Sequence, residues 1–133
     1  MECVHEPKSI LIGNEFLQIT LLPEVGGKIA SIRSVVSGEE FLLPPLREYR
    51  AISEEAQFSE GDCGGFDECL PSVSACDGIG GEAAVPDHGD LWRVAWEVDF
   101  ADGEAVEMHV DAWSRPLRLT RRARLQGASL RLE

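Results

Sequence analysis

The chain has 133 residues, 44% of them hydrophobic, which suits one globular domain with a core and excludes a disordered chain. Its formal net charge of −12 opposes binding to nucleic acid or to an anionic membrane surface, so neither is an expected partner. The sequence contains no long apolar run and no secretory signal, which predicts a cytoplasmic protein.

Apolar residues alternate with a period of two in several stretches, and helical periodicity is hard to find, so the chain is predicted to be mostly β. The first strands, at 9–12 and 15–22, flank a Gly-Asn pair at 13–14 that suits a tight hairpin, because glycine adopts positive φ without a Cβ penalty. A Gly-Gly pair then opens a third strand over 28–36, and a Ser-Gly turn leads to a fourth over 40–43.

The second half of the chain shows the stronger alternation. The even positions of residues 92–100 are apolar, which predicts a strand with one face in a core: Trp92, Val94, Trp96, Val98 and Phe100. An Asp-Gly turn leads to strands over 106–112 and 117–125, and another strand begins at 129. The pattern then stops, which would leave an unpaired edge and an uncovered apolar face.

The predicted fold class is therefore an all-β antiparallel sandwich. Residues 1–133 would form a single partial domain, the first part of a larger sandwich. A second copy of the chain is a candidate partner, since dimerisation could cover the exposed face.

Charge is unevenly distributed along the chain: residues 1–110 sum to −16 and residues 111–133 to +4. The basic stretch RPLRLTRRARL has the composition of a nucleic-acid patch, but it also fits a strand with one solvated basic face beside an acidic body. The acidity of the whole chain favours the second interpretation.

Four cysteines lack any CxxC spacing, and in a chain without a secretion signal they are expected to be reduced: Cys3, Cys63, Cys69 and Cys76. A zinc site could be drawn from the last three and His88, but their spacing matches no common zinc module. Neither a metal nor another cofactor is therefore expected.

A long segment over 46–90, rich in Gly, Pro, Asp and Glu, separates the two sheet-forming regions, and structureless loops of such length are often functional. It contains CGGFDECLPSV, in which Phe66 could stack on a ring and Asp67 and Glu68 could accept hydrogen bonds from hydroxyl groups. The alternative is a glycine turn with two solvated acids.

The same segment ends in PDHGD, which places His88 between two aspartates at the mouth of the strand predicted from Trp92. Carboxylates that approach an imidazole favour its charged form, and the following glycine leaves the turn free to aim the ring at a pocket. His88, with Asp87 beside it, is thus a candidate for hydrogen bonding or acid-base work, against the alternative of a lone surface histidine. His5 and His109 are weaker candidates.

No Walker, GxSxG, HExxH or GxGxxG motif occurs, so phosphate-cradling, serine-hydrolase, zincin and dinucleotide functions have no support. The polar, acidic and aromatic residues of the loop suit a sugar instead. From NEFLQITLLPEVGGKIASIRSVVSGEEFLLPP to PDHGDLWRVAW, the chain resembles the galactose mutarotase-like superfamily of aldose 1-epimerases and hexose-6-phosphate epimerases. The order GGFDECLP and then PDHG is similar to the hexose-6-phosphate epimerase pattern RGG-x-x-x-C-x-P followed by HG.

This resemblance implies a β-sandwich of about twice this length, with the first histidine, His88 here, helping to bind the sugar. It places Cys63 at the family's arginine position, which puts phosphorylated sugars in doubt, and Arg93 departs from the family spacing. The family's catalytic acid, a second histidine, and its catalytic base, a glutamate, belong to a C-terminal half for which this sequence has no matching positions. Mutarotation needs both groups held on the sugar at once.

The function that follows is an aldose 1-epimerase-like carbohydrate-binding protein, which interconverts the anomers of an aldohexose when complete. His88 is the candidate catalytic residue, and the candidate sugar contacts are Phe66, Asp67, Glu68, Asp87 and Trp92. Two alternatives remain: a non-catalytic carbohydrate-binding module, and a half-domain that needs a partner chain.

Overall fold

A computed structural model describes residues 6–133; Cys3 and His5 lie outside the described residues. Within them, seven strands form two antiparallel sheets, each with its strands in sequential order. The first sheet contains β1 (Ile10–Gly13), β2 (Leu17–Leu22) and β3 (Lys28–Ser34). The second contains β4 (Glu97–Ala101), β5 (Ala105–Asp111), β6 (Arg118–Gln126) and β7 (Ser129–Leu132).

The two sheets share one hydrophobic core. Alternate residues of β2, including Ile19 and Leu21, pack in the same cluster as Val106 and Met108 of β5. Leu91 and Trp96, from the connection into the second sheet, join this cluster. The predicted antiparallel β-sandwich is confirmed, because both sheets bury one face against the other and remove that apolar surface from water.

Side chains close two of the hairpins. In the β1–β2 turn, Oδ1 of Asn14 accepts the backbone N–H of Phe16 at 2.8 Å and of Leu17 at 2.9 Å, while Gly13 is outside the left-handed region. The predicted use of positive φ at Gly13 is therefore wrong. Asp102 closes the β4–β5 turn in the same way, by accepting two backbone N–H groups at 2.8 Å.

Two predicted strands differ from the observed ones. Residues 40–43 form a single bridge, Arg33↔Glu40, in place of a strand. Leu91–Arg93 is a turn of 3₁₀-helix, so the predicted strand over 92–100 begins only at Glu97.

Part of the second sheet's inner face is uncovered. Val98 of β4 lies opposite buried Met108 and is nevertheless 43% exposed, and Leu132 of β7 lies opposite buried Ala123 and is 39% exposed. Both belong to the edge strands of the second sheet. The prediction that Val98 lies in the core is therefore wrong, and so is the same prediction for Phe100, which is 47% exposed.

The outer face of the second sheet is charged. Arg118 pairs with Asp111 at 2.6 Å and Arg122 with Glu107 at 3.1 Å, so the basic strand has a solvated face beside an acidic one, as predicted. None of the helices in residues 6–133 is long and apolar enough to cross a membrane.

Candidate functional site

Lys28 anchors the first part of the long segment to the sheet. It begins β3, directly after two glycines in the left-handed region, and its side chain is buried. Its Nζ donates to the Gly64 carbonyl and to Oδ2 of Asp67, both at 2.6 Å, and lies 3.0 Å from Oδ1 of Asp62. Two hydrogen bonds and one ion pair from this ammonium group hold residues 62–67 in place.

Asp67 is the buried carboxylate of this anchor, with a side chain 7% exposed. Burial raises the pKa of Asp67, although Lys28 opposes that shift. Its Oδ1 is buried and has no hydrogen-bond partner among the described residues. The ring of Tyr49 lies 5.8 Å from Nζ of Lys28, and burial, together with the carboxylates of Asp62 and Asp67, raises the pKa of Tyr49 to about 12.

Glu68 is the accessible member of a second ion pair. Its Oε1 lies 3.4 Å from Nη1 of Arg121, and its side chain is 28% exposed. Arg121 is buried: it donates from Nη2 to the Gly27 carbonyl and lies 4.6 Å from the Trp96 ring centroid. Burial lowers the pKa of Arg121, while Glu68 acts in the opposite direction.

His88 is held in one orientation by its neighbours. Its φ is 58°, and among residues 6–133 only Cys63 shares this left-handed conformation without being glycine. Nδ1 lies 2.8 Å from Oδ1 of Asp87, and the ring stacks on Phe58 with centroids 4.0 Å apart. Nε2 has no hydrogen-bond partner in the described part of the chain, and the side chain is 31% exposed. A ring fixed in this way presents Nε2 to a ligand.

Only one of the two flanking aspartates reaches the histidine. Asp87 accepts the Phe58 N–H at 3.0 Å through Oδ2, and this bond, followed by the one to His88, lowers the pKa of Asp87. Asp90 is instead buried, and its Oδ2 accepts the N–H and the hydroxyl of Ser114, both at 2.8 Å.

Two large side chains support this turn from inside. The Asp87 carbonyl accepts the Trp92 indole N–H at 3.1 Å and Nη2 of Arg93 at 2.9 Å. Trp92 is buried, with Arg93 over its ring, whereas Phe66 is the more exposed of the two predicted stacking rings. Arg93 also donates to the carbonyls of Glu54 and Ala56, so its guanidinium is committed to the protein.

The two sequence motifs lie side by side. Gly89 forms a parallel bridge with Leu70, and the His88 N–H donates to the Val73 carbonyl at 2.7 Å. Burial raises the pKa of Cys69, and three carboxylates raise it further, those of Asp67, Glu68 and Asp87. Three of the six predicted site residues, Asp67, Glu68 and Asp87, therefore lie close enough to Cys69 to act on it, and His88 contacts Asp87.

The cysteines among the described residues form neither a disulfide nor a metal site. Cys63, Cys69 and Cys76 are free thiols, and residues 6–133 contain no group of three His, Cys, Asp or Glu side chains placed to hold a metal ion. Cys63, at the position that the resemblance gives to an arginine, turns its Sγ to the Phe58 carbonyl at 3.4 Å.

The sequence matches no protein-family model and no curated protein. Solved structures are similar in fold: the Slr1438 protein from Synechocystis sp. PCC 6803 has a TM-score of 0.68 and 17% identity over 96% of this chain. A galactose mutarotase-like protein from Lactobacillus casei has a TM-score of 0.63 and 14% identity over 94% of this chain. A galactose mutarotase-related enzyme from Lactobacillus acidophilus has a TM-score of 0.59 and 14% identity over 90%.

The chain has the fold of the galactose mutarotase-like proteins. The resemblance stated from the sequence is thereby confirmed at the level of the fold. The chain spans less than half the length of these structures: 47% of the Synechocystis protein, 42% of the L. casei protein and 39% of the L. acidophilus enzyme.

Sequence reasoning missed the buried cations beneath the candidate site: Lys28, Arg93 and Arg121. Arg121 left a signal, because it stands at an inward position of β6, two residues before buried Ala123. Lys28 and Arg93 left none, since hydrogen-bond partners of each lie 36 to 39 residues away.

Proposed function

We propose that this chain forms the sugar-binding part of an aldose 1-epimerase-like protein, and that the complete protein interconverts the anomers of an aldohexose. The observation that carries this proposal is the His88 ring, which is fixed by Asp87 and Phe58 and leaves Nε2 without a partner among residues 6–133. The carboxylates of Asp67 and Glu68, on the adjoining segment, add acceptors for hydroxyl groups.

Each predicted contact has a role in this proposal. Nε2 of His88 binds a hydroxyl or the ring oxygen and shares in proton transfer. Glu68 and Asp67 bind hydroxyl groups, and Phe66 stacks on the apolar face of the ring. Asp87 and Trp92 act through His88, because one holds its Nδ1 and the other holds the Asp87 carbonyl.

The carboxylates beside His88 already have structural partners. Asp87 binds His88 and the Phe58 N–H, and Asp67 binds Lys28. We therefore assign the general base to neither Asp67 nor Asp87, and contact without turnover is the result expected of this chain alone. Three free thiols are consistent with action in the cytoplasm, where cysteines stay reduced.

Saturation-transfer NMR with galactose and glucose tests this function, because contact and α/β exchange are followed in one sample. Contact is expected in the wild-type chain and is expected to be lost in His88→Ala. His109→Ala is the matched control, since His109 lies on β5 and binds Asp99 at 2.7 Å. Absence of contact with both sugars would contradict the proposal, and exchange lost in His88→Ala would show that a base does lie in this chain.

A half-domain that needs a partner chain is the second candidate function. Two observations support it. The inner face of the second sheet is exposed at Val98 and Leu132. The chain also covers only 39 to 47% of the length of the similar structures. Sedimentation equilibrium tests a second copy as that partner: a dimer broken by Val98→Asp with Leu132→Asp supports it. A folded monomer that binds sugar removes this candidate.

A further inference from the structure

We propose that the neutral site recognises its sugar through a hydroxyl group that donates a hydrogen bond to Nε2 of His88, and that Asp87 determines this direction by fixing the imidazole tautomer. The inference rests on the proposed function, because it concerns the same site. Of the two sugar groups that could reach Nε2, a hydroxyl has a proton to donate and the ring oxygen has none.

The carboxylate of Asp87 is an acceptor on both of its oxygens. Oδ2 accepts the Phe58 N–H at 3.0 Å, and Oδ1 lies 2.8 Å from Nδ1 of His88. These two contacts lower the pKa of Asp87, so the carboxyl group is ionised at neutral pH. An ionised carboxylate has no proton to donate, and the proton of the bond to His88 is therefore carried by Nδ1.

The protonation of Nδ1 fixes the chemistry of the other ring nitrogen. A neutral imidazole carries one N–H and one lone pair, and the hydrogen bond at one nitrogen decides which nitrogen carries the proton. With the proton on Nδ1, Nε2 of His88 is the acceptor. Nε2 has no hydrogen-bond partner within residues 6–133, and the side chain is 31% exposed. A ligand group that binds Nε2 of the neutral ring must therefore be a donor.

The backbone of this turn is held so that the carboxylate stays on Nδ1. The Asp87 carbonyl accepts Nη2 of Arg93 at 2.9 Å. Nη1 of Arg93 donates to the carbonyls of Glu54 and Ala56, which ties the segment that leads to Phe58 to the same guanidinium. Nε of Arg93 has no acceptor among the described residues, so this clamp consists of the three bonds from the two Nη atoms.

Phe58 also restrains the imidazole ring itself. Its side chain stacks on His88 with centroids 4.0 Å apart and 12° between the ring planes. A half-turn of the His88 ring would place a carbon against Oδ1 of Asp87 and lose the hydrogen bond. Because Phe58 covers one face of the imidazole, the ring is held with Nδ1 toward Asp87 and Nε2 toward the ligand.

Nitrogen NMR of the ¹⁵N-labelled chain tests the tautomer without a ligand, because the shift of a ring nitrogen distinguishes a protonated atom from a bare one. The pH is raised until the His88 signals stop changing, so that the neutral ring is observed. We expect a protonated Nδ1 and a bare Nε2 in the wild-type chain. A bare Nδ1 would overturn the inference.

Asp87→Asn tests the cause of this tautomer, because a carboxamide both donates and accepts and so removes the constraint. The two nitrogen shifts of His88 should move toward each other as the tautomers mix. Asp99→Asn is the matched control, since Asp99 binds Nδ1 of His109 at 2.7 Å and lies outside the site. It should leave the His88 signals unchanged, and unchanged His88 signals in Asp87→Asn would contradict the assigned role of Asp87.

Sugar analogues test the direction of the hydrogen bond. Each hydroxyl of glucose or galactose, whichever shows contact, is replaced in turn by hydrogen or by fluorine, which accepts but does not donate. At the position that faces His88, both replacements should weaken binding to the wild-type chain by about fivefold. In Asp87→Asn, the fluoro analogue should bind more tightly than the deoxy analogue, because Nε2 then also carries a proton.

The outcomes separate this inference from the proposed function. If the parent sugar binds through His88 but every fluoro analogue binds as tightly as the parent, the inference is overturned and the proposed function stands. If neither parent sugar binds, the proposed function and the sugar recognition inferred from it are both overturned, whatever tautomer the NMR shows.

Discussion

Nζ of Lys28 lies 2.6 Å from Oδ2 of Asp67, and neither side chain is more than 7% exposed. The lysine thereby connects the start of β3 to a loop residue 39 positions later. A buried ion pair adds little net stability because both charges lose their hydration, but loss of one partner leaves the other charge buried and uncompensated. The pair therefore fixes the position of the loop, and its effect is measurable by removing one member.

Lys28→Met is expected to destabilise the chain by about 3–5 kcal/mol, because Asp62 and Asp67 then lose their shared cation. Urea unfolding followed by tryptophan fluorescence measures this loss. Lys8→Met is the control, since Lys8 is exposed, and it should change the free energy of unfolding by less than about 0.5 kcal/mol. Adding Asp67→Asn to Lys28→Met should restore part of the stability, and no restoration would contradict the assigned pairing.

Three Gly→Ala substitutions are expected to separate backbone strain from steric clash. Gly103 has neither positive φ nor a neighbour within 4 Å, and its substitution should change stability by less than about 0.5 kcal/mol. Gly127, at φ +57° in open space, should cost about 1 kcal/mol through strain alone. Gly89, at φ +75°, would place a Cβ 2.1 Å from the Leu70 carbonyl oxygen, so its substitution should cost more than about 3 kcal/mol.

Thermal and urea unfolding of these three variants give the order of the effects. Gly89→Ala should also shift the NMR signals of His88, because Gly89 holds the histidine turn against Leu70. A loss in Gly89→Ala no larger than that in Gly127→Ala would show that this close approach is not required.

Asp67 and Asp87 are expected to change stability in opposite directions with pH. The pKa of Asp87 is lowered, first by the Phe58 N–H, so its stabilising contribution is present above the unfolded value of about 3.9 and is lost as pH falls through the folded value. The pKa of Asp67 is raised by burial, so its contribution is present at low pH and is lost as pH rises through the folded value.

Urea unfolding at pH 3 and pH 7 tests this opposition. Asp87→Asn should destabilise the chain more at pH 7 than at pH 3, and Asp67→Asn should destabilise it less at pH 7 than at pH 3. Asp77→Asn is the reference, since Asp77 is exposed and its substitution should have the same effect at both values. If both test variants were destabilised more at the same one of these two pH values, the opposite pKa shifts assigned to Asp67 and Asp87 would be refuted.

Substitution of two adjacent arginines on β6 is expected to lower the free energy of unfolding by very different amounts. Arg121 is buried, with bonds to Gly27 and Glu68 and a contact with the Trp96 ring, so Arg121→Met should cost about 3–5 kcal/mol by leaving these groups without their cation. Arg122 forms a half-exposed pair with Glu107, so Arg122→Met should cost no more than about 1 kcal/mol. Comparable losses in the two variants, measured by urea unfolding, would contradict the burial of Arg121.

Local sequence patterns were sufficient to predict which side chains are buried where the buried residues follow the two-residue period of a strand. The alternation in β5 predicted that Val106, Met108 and Val110 lie in the core, and all three are buried. The same logic misplaced residues 92–96, because Trp92 and Trp96 are buried from a 3₁₀ turn and the segment that follows it. Their indole N–H groups donate there to the carbonyls of Asp87 and Leu91. An apolar face alone does not distinguish these two backbone conformations.

By itself, the sequence determined the all-β class, the hairpins of the second sheet and the two motifs of the candidate site, because each depends on residues close together in the chain. Only the tertiary structure decided which charges the site exposes. Lys28 and Arg121 donate hydrogen bonds to residues 36 and 94 positions away in the sequence. Asp90 accepts a hydrogen bond from Ser114 and does not contact His88. These partners meet only when the two sheets and the long segment pack together, and no local periodicity records a contact over such a separation.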